Sequence, residues 1–145
     1  MFAVVAIFAC SSDDNSGPND GGGNEDIFIT FKVNGTTYEM EPFTGTSLKV
    51  EIGADQGLDE SYTSISLLMP TDFTTGTHQI TDASASDLEA YTGNYINGET
   101  SVDAASGTLM ITSITDEFIE GTFNFVGDSN GITYNITEGS FRAER

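Results

Sequence analysis

Residues 107–144 read GTLMITSITDEFIEGTFNFVGDSNGITYNITEGSFRAE. Three alternating stretches, GTLMITSIT, FIEGTFNFV and ITYNITEGSFRAE, are punctuated at Asp116–Glu117 and at Asn130–Gly131. The apolar residues recur with period two, not 3.6, which marks strands with one buried face. Ile111, Phe123 and Phe125 fall on the apolar faces and are candidate core. Asn-Gly between two such runs is the strongest short hairpin signal, because both central residues of a type I′ turn need positive φ. The stretch is therefore a set of antiparallel hairpins, and the rest of the chain is read outward from it.

The same pattern extends toward the N-terminus. IFITFKV puts Ile27, Ile29, Phe31 and Val33 on one face and Phe28, Thr30 and Lys32 on the other, followed by Asn34–Gly35 and TTYEM. SLKVEI places Leu48, Val50 and Ile52 inward with Lys49 and Glu51 outward. SYTSISLLM carries Thr63, Ile65, Leu67 and Met69 inward until Pro70 ends it. THQIT is a shorter strand, and LEAYTGNY with Asn97–Gly98 and ETSVDA reads as another hairpin. Only ASASDLEA has a helical option, and it is short. Abundant threonine suits a half-exposed pleat. The expectation is an all-β antiparallel sandwich of about eight or nine strands, with a small up-and-down barrel as the alternative. Three Asn-Gly turns imply meander connections.

Length sets one domain with a tail: 145 residues, 37% hydrophobic, with ten Phe and five Tyr, suffice for one core. Charge excludes whole classes of partner. Against 23 Asp plus Glu stand only 4 Lys plus Arg, a formal net charge of −19. A chain without a basic patch has nothing to release phosphate counterions, which argues against nucleic acid, and an anionic membrane surface repels it too. Cys10 is the only cysteine, so no internal disulfide is available, and a thiolate zinc site needs more.

Cys10 follows the short apolar run AVVAIFA and precedes Ser, Asp, Asn and Gly. A polar C-terminal flank gives it no core to enter, and the lone histidine, His78, lies far along the chain as a base. A processing site remains. Ile7, Phe8, Ala9 and Cys10 resemble the signal peptides of bacterial lipoproteins, in which the cysteine is lipidated and becomes the mature N-terminus. No Lys or Arg precedes the apolar run, so the expected translation start lies upstream of Met1. In that family Asp directly after the cysteine tends to hold the protein at the inner membrane; here Ser11 stands there. Ser11, Ser12, Asp13 and Asp14 resemble the export signals of Bacteroidota-type bacteria, which imply outer-membrane anchoring with surface exposure. One acyl chain anchors only marginally, and two or more make the attachment stable. Residues 1–9 are thus read as signal peptide, 10–26 as lipidated cysteine and acidic tether, and 27–145 as the β domain. The tether, too polar to bury apolar surface, spans about 20–24 Å r.m.s. as a flexible coil.

SGTLMITSITDEFIEGTFNFVG and ITEGSF also resemble small all-β lipoproteins of Bacteroidota-type bacteria, many without assigned function; FKVNGTTY is loosely similar. That resemblance implies no catalytic residues.

Chemistry-bearing residues are few. His78 in TTGTHQI has no sequence-visible partner and reads as a surface residue. Gly21–Gly23 lacks the strand, helix and lysine of a phosphate loop. Asp55, Asp59 and Glu60 share one acidic loop whose oxygens suit calcium, although the spacing is not that of an EF-hand; no other cofactor is implied. Tyr91 and Tyr95, with Asn94 and Asn97, combine aromatic faces with amides and form the candidate ligand site; the alternative is that the tyrosines fill a core. Asn34 and Asn135 match the eukaryotic glycosylation pattern, which carries little meaning in a bacterial lipoprotein. The expectation is a monomeric, non-catalytic surface module for a glycan, a peptide or an outer-membrane protein. The alternative is a small hydrolase of an extracellular polymer using Asp and Glu.

Overall fold

The computed structural model describes residues 26–84 and 86–145. Eleven strands follow in order: β1 Phe28–Val33, β2 Thr36–Met40, β3 Pro42–Thr46, β4 Val50–Gln56, β5 Thr63–Met69, β6 Gly76–Thr81, β7 Thr92–Asn97, β8 Thr100–Asp103, β9 Ser106–Ile114, β10 Phe118–Ser129 and β11 Ile132–Glu144. A 3-10 turn at Asp59–Ser61 is the only helical element among the described residues. The strands make two antiparallel sheets, β2-β1-β11-β10-β9-β6 and β3-β4-β5-β7-β8. This is the expected all-β sandwich, and two separate sheets replace the alternative of a single closed barrel.

The inner faces supply one core. Ile29 and Phe31 of β1, Ile52 and Ala54 of β4, Ile65 and Leu67 of β5, Leu109 and Ile111 of β9 and Phe123 and Phe125 of β10 are buried. Each fully buried side chain of this size contributes roughly 1.5–3 kcal/mol. Phe31, Ile65, Leu67, Ile111, Phe123 and Phe125, each on an apolar face in the sequence, all lie there. Phe123 leans on Gly139, where a Cβ would lie 2.6 Å from the ring's Cδ1. That approach sits at a bulge in β11, with Glu138 at φ 52°, where the register to β1 slips between Thr30 and Lys32.

Three expectations change. Eleven strands replace about eight or nine: β3 leaves no period-two signal because Pro42 and Gly45 interrupt the alternation, and β3 is an edge strand, where proline is tolerated. The meander holds only within hairpins, since the chain changes sheet at β2–β3, β5–β6, β6–β7 and β8–β9, and β5 pairs with β7 around the excluded β6. Leu48 and Lys49 exchange roles. Leu48 is 73% exposed, while Lys49 is buried. Ser47 N–H donates to Lys49 O at 3.0 Å, a bend that takes both residues out of the strand, which begins only at Val50.

Turns follow the glycines. Asn34–Gly35 (φ 47° and 88°) and Asn130–Gly131 (φ 52° and 78°) are two-residue turns with both φ positive. The third shifts by one residue: Asn97 pairs with Thr100, leaving Gly98–Glu99 as the turn, with Gly98 at φ 56°. Glycine first in the loop is the type II′ choice.

Candidate functional site

The tyrosine-centred site expected from the sequence does not assemble. Alternation in β7 sends Gly93 and Tyr95 inward and Asn94 and Ile96 outward. Tyr95 is 1% exposed and belongs to an aromatic cluster, with ring centroids 6.3 Å from Phe31, 6.2 Å from Tyr38 and 6.4 Å from Tyr134. Its hydroxyl donates to Tyr38 Oη at 3.4 Å and accepts from Asn97 Nδ2 at 2.9 Å. Burial, reinforced by the Tyr38 hydrogen bond, pushes its phenol up to about 12. Asn97 is thus a clamp on two phenols, not a ligand amide. Tyr91 precedes the strand, bridges to Ile80, and stacks on His78 with centroids 4.2 Å apart and planes at 13°. Burial, then the charges of Asp72 and Glu89, raise the Tyr91 phenol. His78 Nε2 lies 2.8 Å from Thr74 O, so a proton there is committed to the main chain. Of the four residues, only Asn94 reaches an open face of a sheet.

The acidic loop is closed by its own side chain. Ser61 Oγ accepts from Leu58 N–H at 3.2 Å and donates to Leu58 O at 2.8 Å, with Gly57 and Asp59 at positive φ. Asp55, Asp59 and Glu60 do not converge: among the described residues no three His, Cys, Asp or Glu side chains gather as metal ligands. Cys10, Ser11, Ser12, Asp13 and Asp14 lie outside the described residues.

The organised surface is elsewhere, on the outer face of the five-stranded sheet. Register aligns Phe43, Gly53, Ser66, Asn94 and Asp103 across all five strands. Phe43, 46% exposed, lays its ring over Gly53, where a Cβ would sit 2.6 Å from Phe43 Cζ; only glycine lets the ring lie flat on the sheet. Ser66 Oγ donates to Glu51 Oε1 at 2.7 Å. Asn94 Nδ2 donates to Asp103 Oδ1 at 2.8 Å and, more weakly, to Ser101 Oγ at 3.2 Å. Within the row Asn94 holds Asp103, while Ser66 reaches diagonally to Glu51, opposite Gly45 and Leu68.

Two concavities of about 310 and 290 Å³ flank that row and share Ser66 and Asn94. The first is lined also by Leu68, Asp82, Ala83, Ser84 and Asp103; the second by Phe43, Tyr62 and Ile96. Both are near the lower bound for small-ligand sites. Lys49 fixes the segment following the first wall: its ammonium donates to Asp87 O at 2.9 Å and to Ala90 O. Burial lowers the Lys49 pKa, partly offset by the Asp87 charge.

Charge divides between the two sheets. Lys32 pairs with Glu138 at 2.6 Å and Arg142 with Glu120 at 2.7 Å, both on the outer face of the six-stranded sheet. Arg142 also lies 4.3 Å above the Phe118 ring, and Arg145 donates to Thr115 O at 3.2 Å beside the β9–β10 turn. With Lys49 buried under main-chain carbonyls, the outer face of the five-stranded sheet presents Glu51, Asp55 and Asp103 with no exposed cation among its described residues.

No family model, curated protein or solved structure matches the chain.

Proposed function

We propose that this protein is a lipid-anchored outer-membrane module that holds a ligand on the outer face of its five-stranded sheet and performs no chemistry on it. The observation that carries the reading is the register row from Phe43 to Asp103: a half-exposed ring, a hydroxyl, an amide and a carboxylate in line across five strands, with a concavity on each side. Rigid strands position such groups better than loops do, which suits recognition. The anchor reading is supported by Ile7–Cys10 and the SSDDN that follows, and a lipid tether turns a small sandwich into a surface receptor. The non-catalytic reading is supported by where the potential bases and nucleophiles are spent. The His78 ring is stacked and bonded to a carbonyl, and Ser66 donates to a carboxylate instead of an imidazole.

Two measurements test this. Amide shift mapping on the full chain in detergent, against glycan and peptide libraries, should place perturbations at Phe43, Gly53, Ser66, Asn94 and Asp103. Ligands that perturb only the six-stranded sheet, or that are converted to product, refute the reading. Cys10→Ala, with a complete signal sequence supplied, should abolish membrane fractionation; unchanged partitioning into detergent removes the anchor.

A further inference from the structure

We infer that the ligand of this face is cationic: an extended peptide segment bearing Lys or Arg at intervals of about four residues. The inference rests on the outer face of the five-stranded sheet being the binding surface, and it adds the chemistry of the occupant.

The decisive contrast is where the cations lie. On the six-stranded sheet, Glu120 and Glu138 are answered by Arg142 and Lys32, beside an Asp128 held by the Thr133 hydroxyl. On the five-stranded sheet, Glu51 is answered by the Ser66 hydroxyl and Asp103 by the Asn94 amide. Neutral donors orient a carboxylate without cancelling its charge. The carboxylates are therefore held in position with their charge outstanding, and a cation is the group that completes them. The same field disfavours phosphate, sulfate or anionic lipid.

Spacing separates a peptide from a metal ion. Glu51 and Asp55 stand four residues apart on β4, about 13 Å at ~3.3 Å per residue. From Glu51 on β4 to Asp103 on β8 are three strand spacings, about 14 Å at ~4.8 Å each. A single ion cannot bridge carboxylates so far apart, whereas side chains at i and i+4 of an extended peptide are also about 13 Å apart. The remaining features fit the same occupant. The half-exposed Phe43 ring offers a face to a guanidinium or ammonium. The concavity lined by Leu68, Asp82 and Asp103 suits a basic side chain with its long apolar stem.

The test uses the full chain in detergent and three probes: a Ser/Thr peptide with Lys at every fourth position, its Glu counterpart, and a neutral oligosaccharide. The Lys peptide should bind and shift amides along the Phe43–Asp103 row, and affinity should fall severalfold or more as salt shields the charges, the Debye length shrinking from about 10 Å at 0.1 M to about 3 Å at 1 M. Glu51→Gln and Asp103→Asn, which keep shape and hydrogen-bonding capacity, should each weaken binding about two- to fivefold. Asp116→Asn, in the β9–β10 turn, removes the same charge from elsewhere and should leave affinity unchanged. An equal loss in Asp116→Asn would show mere response to net charge and overturn the inference. Tighter binding of the oligosaccharide or the Glu peptide on this face would overturn the ligand class while leaving the face intact. If no probe shifts these amides, the inference fails, and a library ligand that maps here would show that the binding face itself still stands.

Discussion

Tyr95→Phe removes one oxygen and leaves the ring packed against Phe31, Tyr38 and Tyr134. At neutral pH the loss is the 2.9 Å bond from Asn97 Nδ2 and the weak 3.4 Å bond to Tyr38 Oη, about 0.5–1.5 kcal/mol. The alkaline limb discriminates more sharply. Burial first, then the Tyr38 bond, pushes the folded phenol up to about 12 from an ordinary value of 10.0, with Asn97 opposing. A raised folded pKa means the contribution is intact below pH ~10 and is lost as pH climbs toward ~12, because the unfolded phenol ionises first. Two pH units at roughly 1.4 kcal/mol each make about 3 kcal/mol of unfolding free energy, with half of it gone near pH 11. Tyr91, raised in the same direction, is present in both proteins and supplies a common background. Urea unfolding of the full chain, followed by far-UV circular dichroism, should show wild type more stable at pH ~8. The two curves should cross near pH ~11, with Tyr95→Phe the more stable above it. Parallel pH dependences for the two proteins would refute the placement of this hydroxyl in the core, and with it the correction to the tyrosine-centred site.

Phe123→Ala should cost ~3–5 kcal/mol in urea unfolding, since its ring fills the space over Gly139 and packs on Phe31 and Phe141. Lys49→Met keeps the stem and deletes the donors to Asp87 O and Ala90 O; about 1.5–3 kcal/mol is expected, with faster amide exchange at residues 86–90. Because Lys49 is held below 10.5 when folded, wild-type stability should rise as pH passes through that lowered value toward 10.5, and Lys49→Met should lack the rise. Gly53→Val drives a side chain into the Phe43 ring and should weaken ligand binding at the row about tenfold or more, while Met110→Val, at an exposed position on the outer face of the six-stranded sheet, leaves it unchanged; equal effects would remove Phe43 from the site.

The fold was legible because period two survives in almost every strand. Ile65 and Leu67, or Phe123 and Phe125, must share a face whatever the topology, and Asn34–Gly35 and Asn130–Gly131 can close only tight hairpins. What alternation cannot show is which sheet a strand joins. The four changes of sheet leave no local mark, because a strand's inner face is apolar in either layer. The Leu48–Lys49 exchange has the same root. Pattern alone places leucine inward, but the bend at Ser47 comes before the strand, and the lysine finds two carbonyls from a segment nearly forty positions away.

The candidate site is illegible in the sequence for a related reason, since alternation separates residues that are adjacent in the chain. Tyr91, Asn94, Tyr95 and Asn97 are neighbours in sequence, yet Asn94 and Tyr95 are consecutive strand residues and so point to opposite sides of the sheet. Any surface that includes Asn94 must exclude Tyr95. Its true neighbours, Ser66 and Asp103, are set by pairing with β5 and β8, and Phe43 enters from a strand that proline and glycine concealed. Net charge hides the rest. With 23 acids in the chain, no count distinguishes Glu120 from Glu51. The distinction is made by the partner, arginine for one and serine for the other, and it follows from cross-strand register. Four cations are too few to neutralise both faces; two are paired on the outer face of the six-stranded sheet and one is buried beneath the segment after Asp82. The outer face of the five-stranded sheet is left without an exposed cation among its described residues, and that asymmetry is the basis for proposing a cationic partner there.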